Sequence, residues 1–372
     1  MIFDNPATIG SLYFLIYLLL ITLLTIKKYR VIGNYHAYEV IYRKYDYKEI
    51  FLISLFLAVF LGFRPYEGFG DTGNYIASYM RLRDFGVFNV AGDESPTKDY
   101  LFYMYEKICA TIIDGHVWLA SICFFYIFFM LFGCRKIDLE HGAILMLFCL
   151  GSFEFFSYAV NGIRNGVACS FIIFALGCIC RKKVLYAVVC SCIAIGCHKS
   201  VFLPVVSMFA AFFLNRPKFM FSTWIVAVVL SLFLGGIFEN LMVSLNFDDR
   251  LFYNLRENEA DGMILEHSFR WDFLIYSFLP ILLGWYSIVK RKLFDRTYLI
   301  TLGTYIYANA FWVLSIRAIF SNRIAYLSWF IYPIVLAYPL LNFPVFRKQH
   351  SKKTAAILLL HLLLTIFMWI KS

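Results

Sequence analysis

The chain has 372 residues, 61% of them hydrophobic and only 16% charged. An ordinary soluble domain carries about 25% charged residues, so a soluble globular protein is excluded and lipid is the solvent this composition fits. The formal net charge of +10 does not mark a nucleic-acid binder, because Lys and Arg gather in short clusters between apolar runs.

A transmembrane helix needs about 20 predominantly apolar residues. Runs of that kind predict spans at roughly 9–26, 49–63, 116–134, 141–160, 165–180, 184–197, 201–214, 220–237, 272–289, 297–316, 324–342 and 354–370, about twelve in all, the second and sixth being short for a crossing. The first run has no basic segment before it and lysines after it, so it reads as a retained span and not as a cleaved signal. The 10 Cys lie mostly inside the runs (Cys123, Cys149, Cys169, Cys190 and Cys192 among them), with only a C-x-C at Cys178 and Cys180. They read as small buried hydrophobes, not as metal ligands or disulfide partners.

Basic residues test this count. Lys27, Lys28, Arg30, Arg43, Lys44 and Lys48 fall in the first loop. Arg135 and Lys136, Arg181 to Lys183, Arg216 and Lys218, Lys290 to Lys292 with Arg296, and Arg347, Lys348, Lys352 and Lys353 fall in every second loop after it. Together they make about 21 of the 34 basic residues, and the positive-inside rule makes those loops cytoplasmic, with both termini outside. Two long external segments result, at about 64–115 and 238–270, the first with amphipathic helices expected around Asn74–Asp84 and Tyr100–Ile113. No internal repeat is visible, and residues 1–372 read as one all-α transmembrane domain.

Ionisable groups at membrane depth cost about 2.5–3.5 kcal/mol each and default to functional suspects. Five clusters stand out on the predicted external side. After the second span comes Arg64, followed by Gly68 to Gly73, which match the letters G-x-G-x-x-G. A dinucleotide site needs a preceding strand and a βαβ unit, and Asp71 inside the loop would oppose a phosphate, so a turn presenting Arg64 and Asp71 is expected instead. Glu154, Tyr158, Asn161 and Asn165 follow i, i+4, i+7, i+11 and predict one polar helical stripe beside Arg164. His198 sits in the short Cys197-His198-Lys199-Ser200 connection, with no HxxxH or other metal spacing near it, so no metal or cofactor is expected. The remaining clusters are His267 to Phe273, containing Arg270, Trp271 and Asp272, and Arg317 with Asn322-Arg323. Each has an ordinary explanation: a glycine turn, an interhelical Glu–Arg pair, a capping His, a self-satisfied Arg270–Asp272 pair with an interfacial Trp, or displaced topology charges. Taken together, Arg64, Arg164, Arg270, Arg317 and Arg323 are expected at one membrane face, where the planar guanidinium suits bidentate binding of a lipid-linked phosphate or pyrophosphate.

At these residues the chain resembles the EpsG-type branch of the Wzy polysaccharide polymerases. The resemblance rests on Arg64 with Asp71-x-x-x-Tyr75, Ile163-Arg164-Asn165-Gly166, His198, Phe269-Arg270-Trp271-Asp272-Phe273 and Asn322-Arg323-Ile324-Ala325-Tyr326, in order from about 60 to 335. It departs in having Asn165 where the family often has Gln. The resemblance implies a GT-C-like glycosyltransferase in the bacterial cytoplasmic (inner) membrane, its site facing the periplasm or outside. Such an enzyme joins undecaprenyl-pyrophosphate-linked oligosaccharide repeat units of an O-antigen or exopolysaccharide, as donor and acceptor, without cofactor or nucleic acid; a chain-length regulator is a candidate partner. Under that reading Arg164, Arg270, Arg317 and Arg323 bind pyrophosphate, with Arg64 assisting. His198 or Asp71 takes the acceptor's proton, Arg164 stabilises the leaving group, and Tyr75, Glu154, Asn161, Trp271 and Asp272 contact sugar. A ligase using the same donor stays open. So does a flippase, which calls for ionisable or broken-helix positions deep in several spans, and so does an O-acyltransferase.

Overall fold

The computed structural model describes residues 6–33, 44–85, 99–244, 269–318 and 321–371. Among them every regular element is helical. In lipid this follows from backbone chemistry, since a helix satisfies its own N–H and C=O groups where water is absent. The segments expected as spans are all helical, and the two expected amphipathic helices form at Thr72–Phe85 and Tyr100–Ile112. By length and hydropathy six helices are able to cross a membrane, or seven if one bent pair counts as a single span. Parts of both long segments, 86–98 and 245–268 (with His267), lie outside the described residues.

Packing groups the chain into two compact units, residues 1–201 with 340–372, and residues 202–339. The first holds α1 (Pro6–Gly33), α2 (Lys44–Gly62), α3 (Thr72–Phe85), α4 (Tyr100–Ile112), α5 (Gly115–Ile137), α6 (Gly142–Leu150), α7 (Phe153–Val160), α8 (Ile163–Cys180), α9 (Val184–Cys197) and the last helix, Lys371 being its final residue. α5 is the axis of this unit. It begins at Asp114, whose carboxylate accepts from the backbone N–H of His116 and Val117, and it buries Trp118, Leu119, Ile122, Cys123, Tyr126 and Leu131. Its Gly133 lies so close to α8 that an added Cβ would meet Ile173 Cγ2 at 2.6 Å, the small-residue contact that lets membrane helices approach.

The predicted span 141–160 is not one straight helix. α6 and α7 are bent by 77° at Gly151–Ser152, which removes helical partners from nearby carbonyls. The last helix restores them with donors one turn apart. His361 Nε2 bonds the Phe148 carbonyl at 3.0 Å, Thr365 Oγ1 the Gly151 carbonyl at 2.7 Å and Trp369 Nε1 the Phe153 carbonyl at 3.3 Å. Tyr17 Oη donates to the Leu150 carbonyl from α1. Polar residues in an apolar helix here have a structural cause.

The second unit contains α10 (Phe202–Phe213), α11 (Pro217–Ser244), α12 (Trp271–Trp285) running into a π turn at Tyr286–Lys290, α13 (Arg296–Leu314), α14 (Ser321–Trp329) and most of α15 (Tyr332–Asn342). α16, the closing helix of the chain, is His350–Lys371. α13 forms the core of this second unit. Asn309 accepts from Trp224 Nε1 at 2.8 Å and donates to Ser328 Oγ at 3.0 Å, so its buried amide is used on both ends. Tyr305 Oη and Trp329 Nε1 both donate to Ser277, to its carbonyl and its hydroxyl, at 2.8 Å.

Candidate functional site

The turn after α2 is built around Arg64. Its side chain is 0% exposed. Nη1 donates to the Leu61 carbonyl at 2.9 Å, and Nη2 donates to Thr72 Oγ1 at 2.9 Å and to the Val160 carbonyl at 3.1 Å. Thr72 Oγ1 donates to the same Val160 carbonyl. Arg64 therefore closes the C-terminal end of α7, where free carbonyls carry partial negative charge. Expected as a pyrophosphate ligand, it is buried here and acts as a clamp, its two Nη atoms bonded to the Leu61 and Val160 carbonyls and the Thr72 hydroxyl.

The glycine letters are a turn, as expected. Gly70 has φ +53°, and a Cβ added there would sit 2.4 Å from Asn161 Oδ1, so only glycine fits. Asn161 Oδ1 accepts the Asp71 N–H at 2.7 Å. That bond sets Asn161 in the α7–α8 break, between Val160 and Ile163, and so the expected Glu154-to-Asn165 stripe does not exist as one helical face. Asn165 Nδ2 donates to Tyr158 Oη at 3.0 Å. Glu154, expected to contact sugar, is 2% exposed and lies near Tyr17 and Tyr126. On α7 it takes a core position.

Arg164, His198 and a residue the sequence reading passed over are brought together. Asp99 accepts from Arg164 Nη1 at 2.9 Å through Oδ2, sits 3.0 Å from His198 Nδ1 through the same oxygen, and accepts the Lys199 N–H at 2.8 Å through Oδ1. The local causes are visible. α9 ends at Cys197, His198 turns to extended backbone, and the freed N–H of Lys199 faces the carboxylate. Asp99 is the residue before α4, where an Asp usually caps its own helix. Here it adopts left-handed backbone (φ 57°, ψ 35°) and makes no side-chain cap bond. Burial raises its pKa, but the His198 bond, the His198 and Arg164 charges and the Lys199 N–H outweigh this and hold it below the usual carboxylate range. The Arg164 guanidinium also lies 5.3 Å from the centre of the Tyr75 ring, a cation–π distance. The Arg164 side chain is 39% exposed and that of His198 26%, against 8% for Asp99. The carboxylate is thus the buried hub, and Arg164 and His198 are partly open to a ligand. Asp71 is half-buried, its N–H bonded to Asn161.

In the second unit Arg270 is paired with Asp272, Nε to Oδ1 at 3.1 Å and Nη2 to Oδ2 at 3.0 Å, and its guanidinium stacks 3.5 Å from the Phe273 ring centre. Trp271 is 56% exposed at the start of α12. Arg317 lies 5.4 Å from the ring centre of Phe269, the residue before Arg270, so these two arginines share one corner. Arg323 lies in the first turn of α14, its backbone N–H bonded to Asn322 Oδ1 at 3.0 Å. Among the described residues no group of three or more His, Cys, Asp or Glu is placed to hold a metal ion.

With every regular element among the described residues helical and six or seven of those helices long and apolar enough to cross a membrane, the chain is a multi-pass membrane protein. Within that class, the EpsG family model matches residues 48–372, and the chain belongs to the EpsG family, a polysaccharide-polymerase type of membrane protein. No curated protein and no solved structure matches it.

Proposed function

We propose that the protein is a glycosyltransferase that polymerises undecaprenyl-pyrophosphate-linked oligosaccharide repeat units on the outer face of the bacterial cytoplasmic membrane. In this reading the chain crosses the membrane about twelve times in a GT-C-like arrangement, with both termini outside. The observation that carries the proposal is the cluster in which Arg164 and His198, from α8 and the end of α9, meet at one carboxylate.

The reaction needs a base and a sink for negative charge. As the acceptor hydroxyl oxygen bonds to the anomeric carbon, its proton passes to His198. The bond from that carbon to the pyrophosphate oxygen breaks, and the electron pair leaves with the pyrophosphate. Arg164, partly open to solvent, meets the charge as it develops. An imidazole suits the base role better than Asp71, because it carries no negative charge to repel the leaving group. Donor and acceptor each bear a pyrophosphate, and Arg270, Arg317 and Arg323 are proposed ligands for these groups in the second unit. Tyr75, Asn161, Trp271 and Asp272 are proposed sugar contacts. Guanidinium groups supply the positive charge, and no metal step is invoked. A chain-length regulator remains the proposed protein partner.

The test is complementation of a deletion strain with wild type or His198→Ala, followed by separation of lipid-linked glycans by length and leaflet. The expected result is long polymer with wild type and single repeat units on the outer leaflet with both the deletion and the variant. Single units confined to the cytoplasmic leaflet would mean a flippase. Intact polymer left on lipid, unable to reach its final acceptor, would mean a ligase.

A further inference from the structure

Asp99 departs from the behaviour its sequence position predicts. A residue before a helix normally turns its side chain onto the helix's own N–H groups; this one turns away, in a left-handed backbone conformation that Asp and Asn adopt more readily than other side chains. What holds it is a set of three converging partners from α8, from the residue after α9 and from the turn beyond it.

The geometry dictates which His198 nitrogen carries a proton. Oδ1 is occupied by the Lys199 N–H and Oδ2 by the Arg164 N–H. A carboxylate between a guanidinium and a backbone donor is held as the anion, which only accepts hydrogen bonds. Facing that anion, Nδ1 of a neutral His198 has to be the protonated nitrogen. The lone pair then lies on Nε2, on the ring edge away from the carboxylate.

We propose that Asp99 is a positioning residue that fixes His198 as its Nδ1–H tautomer, leaving Nε2 as the atom that accepts the acceptor sugar's proton. The role deepens the polymerase reading above and rests on it for its catalytic part; the tautomer itself does not. Asp99 touches no reacting atom. It acts by orientation, and by stabilising the imidazolium once the proton has arrived, as the aspartate does for the histidine in serine-protease triads.

Asp99→Asn makes a sharp test, because asparagine tolerates the left-handed backbone as well as aspartate does. The Lys199 N–H keeps the amide oxygen at the Oδ1 position, so the amide NH2 takes the Oδ2 position and points a donor at His198 Nδ1. The tautomer has to invert, with Nδ1 accepting and Nε2 protonated. Full-length protein with 15N-labelled histidine in lipid nanodiscs, compared by solid-state NMR with His198→Gln to isolate the His198 signals, reads this directly. The expected result is Nδ1–H in wild type and Nε2–H in Asp99→Asn. Elongation should fall at least about 100-fold, the lower end of what a positioned acid–base group contributes. An unchanged tautomer in Asp99→Asn overturns the proposal. Wild-type elongation by His198→Gln alone, with the tautomer inverted as expected, instead sinks the assignment of His198 as base.

Discussion

Two arginines, Arg64 just after α2 and Arg164 just inside α8, carry the same signature in sequence: a lone guanidinium at the end of an apolar helix. The structure gives them opposite environments. Arg64 is fully buried and donates to the Leu61 and Val160 carbonyls and the Thr72 hydroxyl. Arg164 is more than a third exposed and donates to a carboxylate that also faces His198. Neutral acceptors around a sealed cation hold a turn against a helix end and have nothing to exchange. A carboxylate shared with a second titratable group, beside open solvent, holds its cation where an incoming anion is able to compete for it. In a membrane chain, then, the kind of acceptor and the exposure separate a clamp from a ligand-binding arginine, whereas position along the helix does not.

The contrast is broken most directly at Arg64. Arg64→Ala removes the Leu61 carbonyl's side-chain donor and one of the two on the Val160 carbonyl and opens a void, a loss of about 2–5 kcal/mol, so the expected outcome is little folded protein in the membrane fraction by immunoblot and early unfolding of what is purified. Arg164→Ala should leave protein level and unfolding temperature near wild type while lowering elongation by about 2.7–4 kcal/mol, a factor of 100 or more. If the two variants exchange phenotypes, the distinction drawn here is wrong. A carboxylate outside the proposed chemistry sharpens the comparison further. Asp138, after α5, is bonded by the His141 N–H and ring and by Asn342 Nδ2 at 2.6 Å. Burial raises its pKa, but these partners prevail and hold it at about 2 against an ordinary 3.8. A folded-state pKa below the unfolded one gives stability that is present above the unfolded value and lost as pH falls through the folded value. Asp138→Asn should therefore lose about 2 kcal/mol at neutral pH. Its deficit in unfolding temperature against wild type should shrink between about pH 4 and 2.

Much of the fold was legible because apolar runs and helix ends are local properties. The sixth expected span, 184–197, coincides with α9, and the two amphipathic helices lie within a few residues of expectation. The bend at Gly151–Ser152 was not legible. In sequence it is a small-residue pair inside an apolar run, and its carbonyls are satisfied by donors more than 200 residues away. The site divides along the same line. Arg164 and His198 stood out as polar residues at helix ends. Asp99 carried no local signal, and its partners lie 65 and 99 residues away. Glu154 and Arg64 were polar residues beside apolar runs, and nothing local said that they face inward.

The Arg64 clamp also bears on how the chain is made. Its partners are Leu61 and Thr72 nearby, Cys123 at 3.6 Å and Val160. A ribosome delivers residue 64 long before residue 160, so in the nascent chain the guanidinium stands at a membrane boundary without the carbonyl that completes its cage. Docking of the turn has to wait until α7 has entered the bilayer. The first two helices therefore lack this contact through the synthesis of about a hundred further residues.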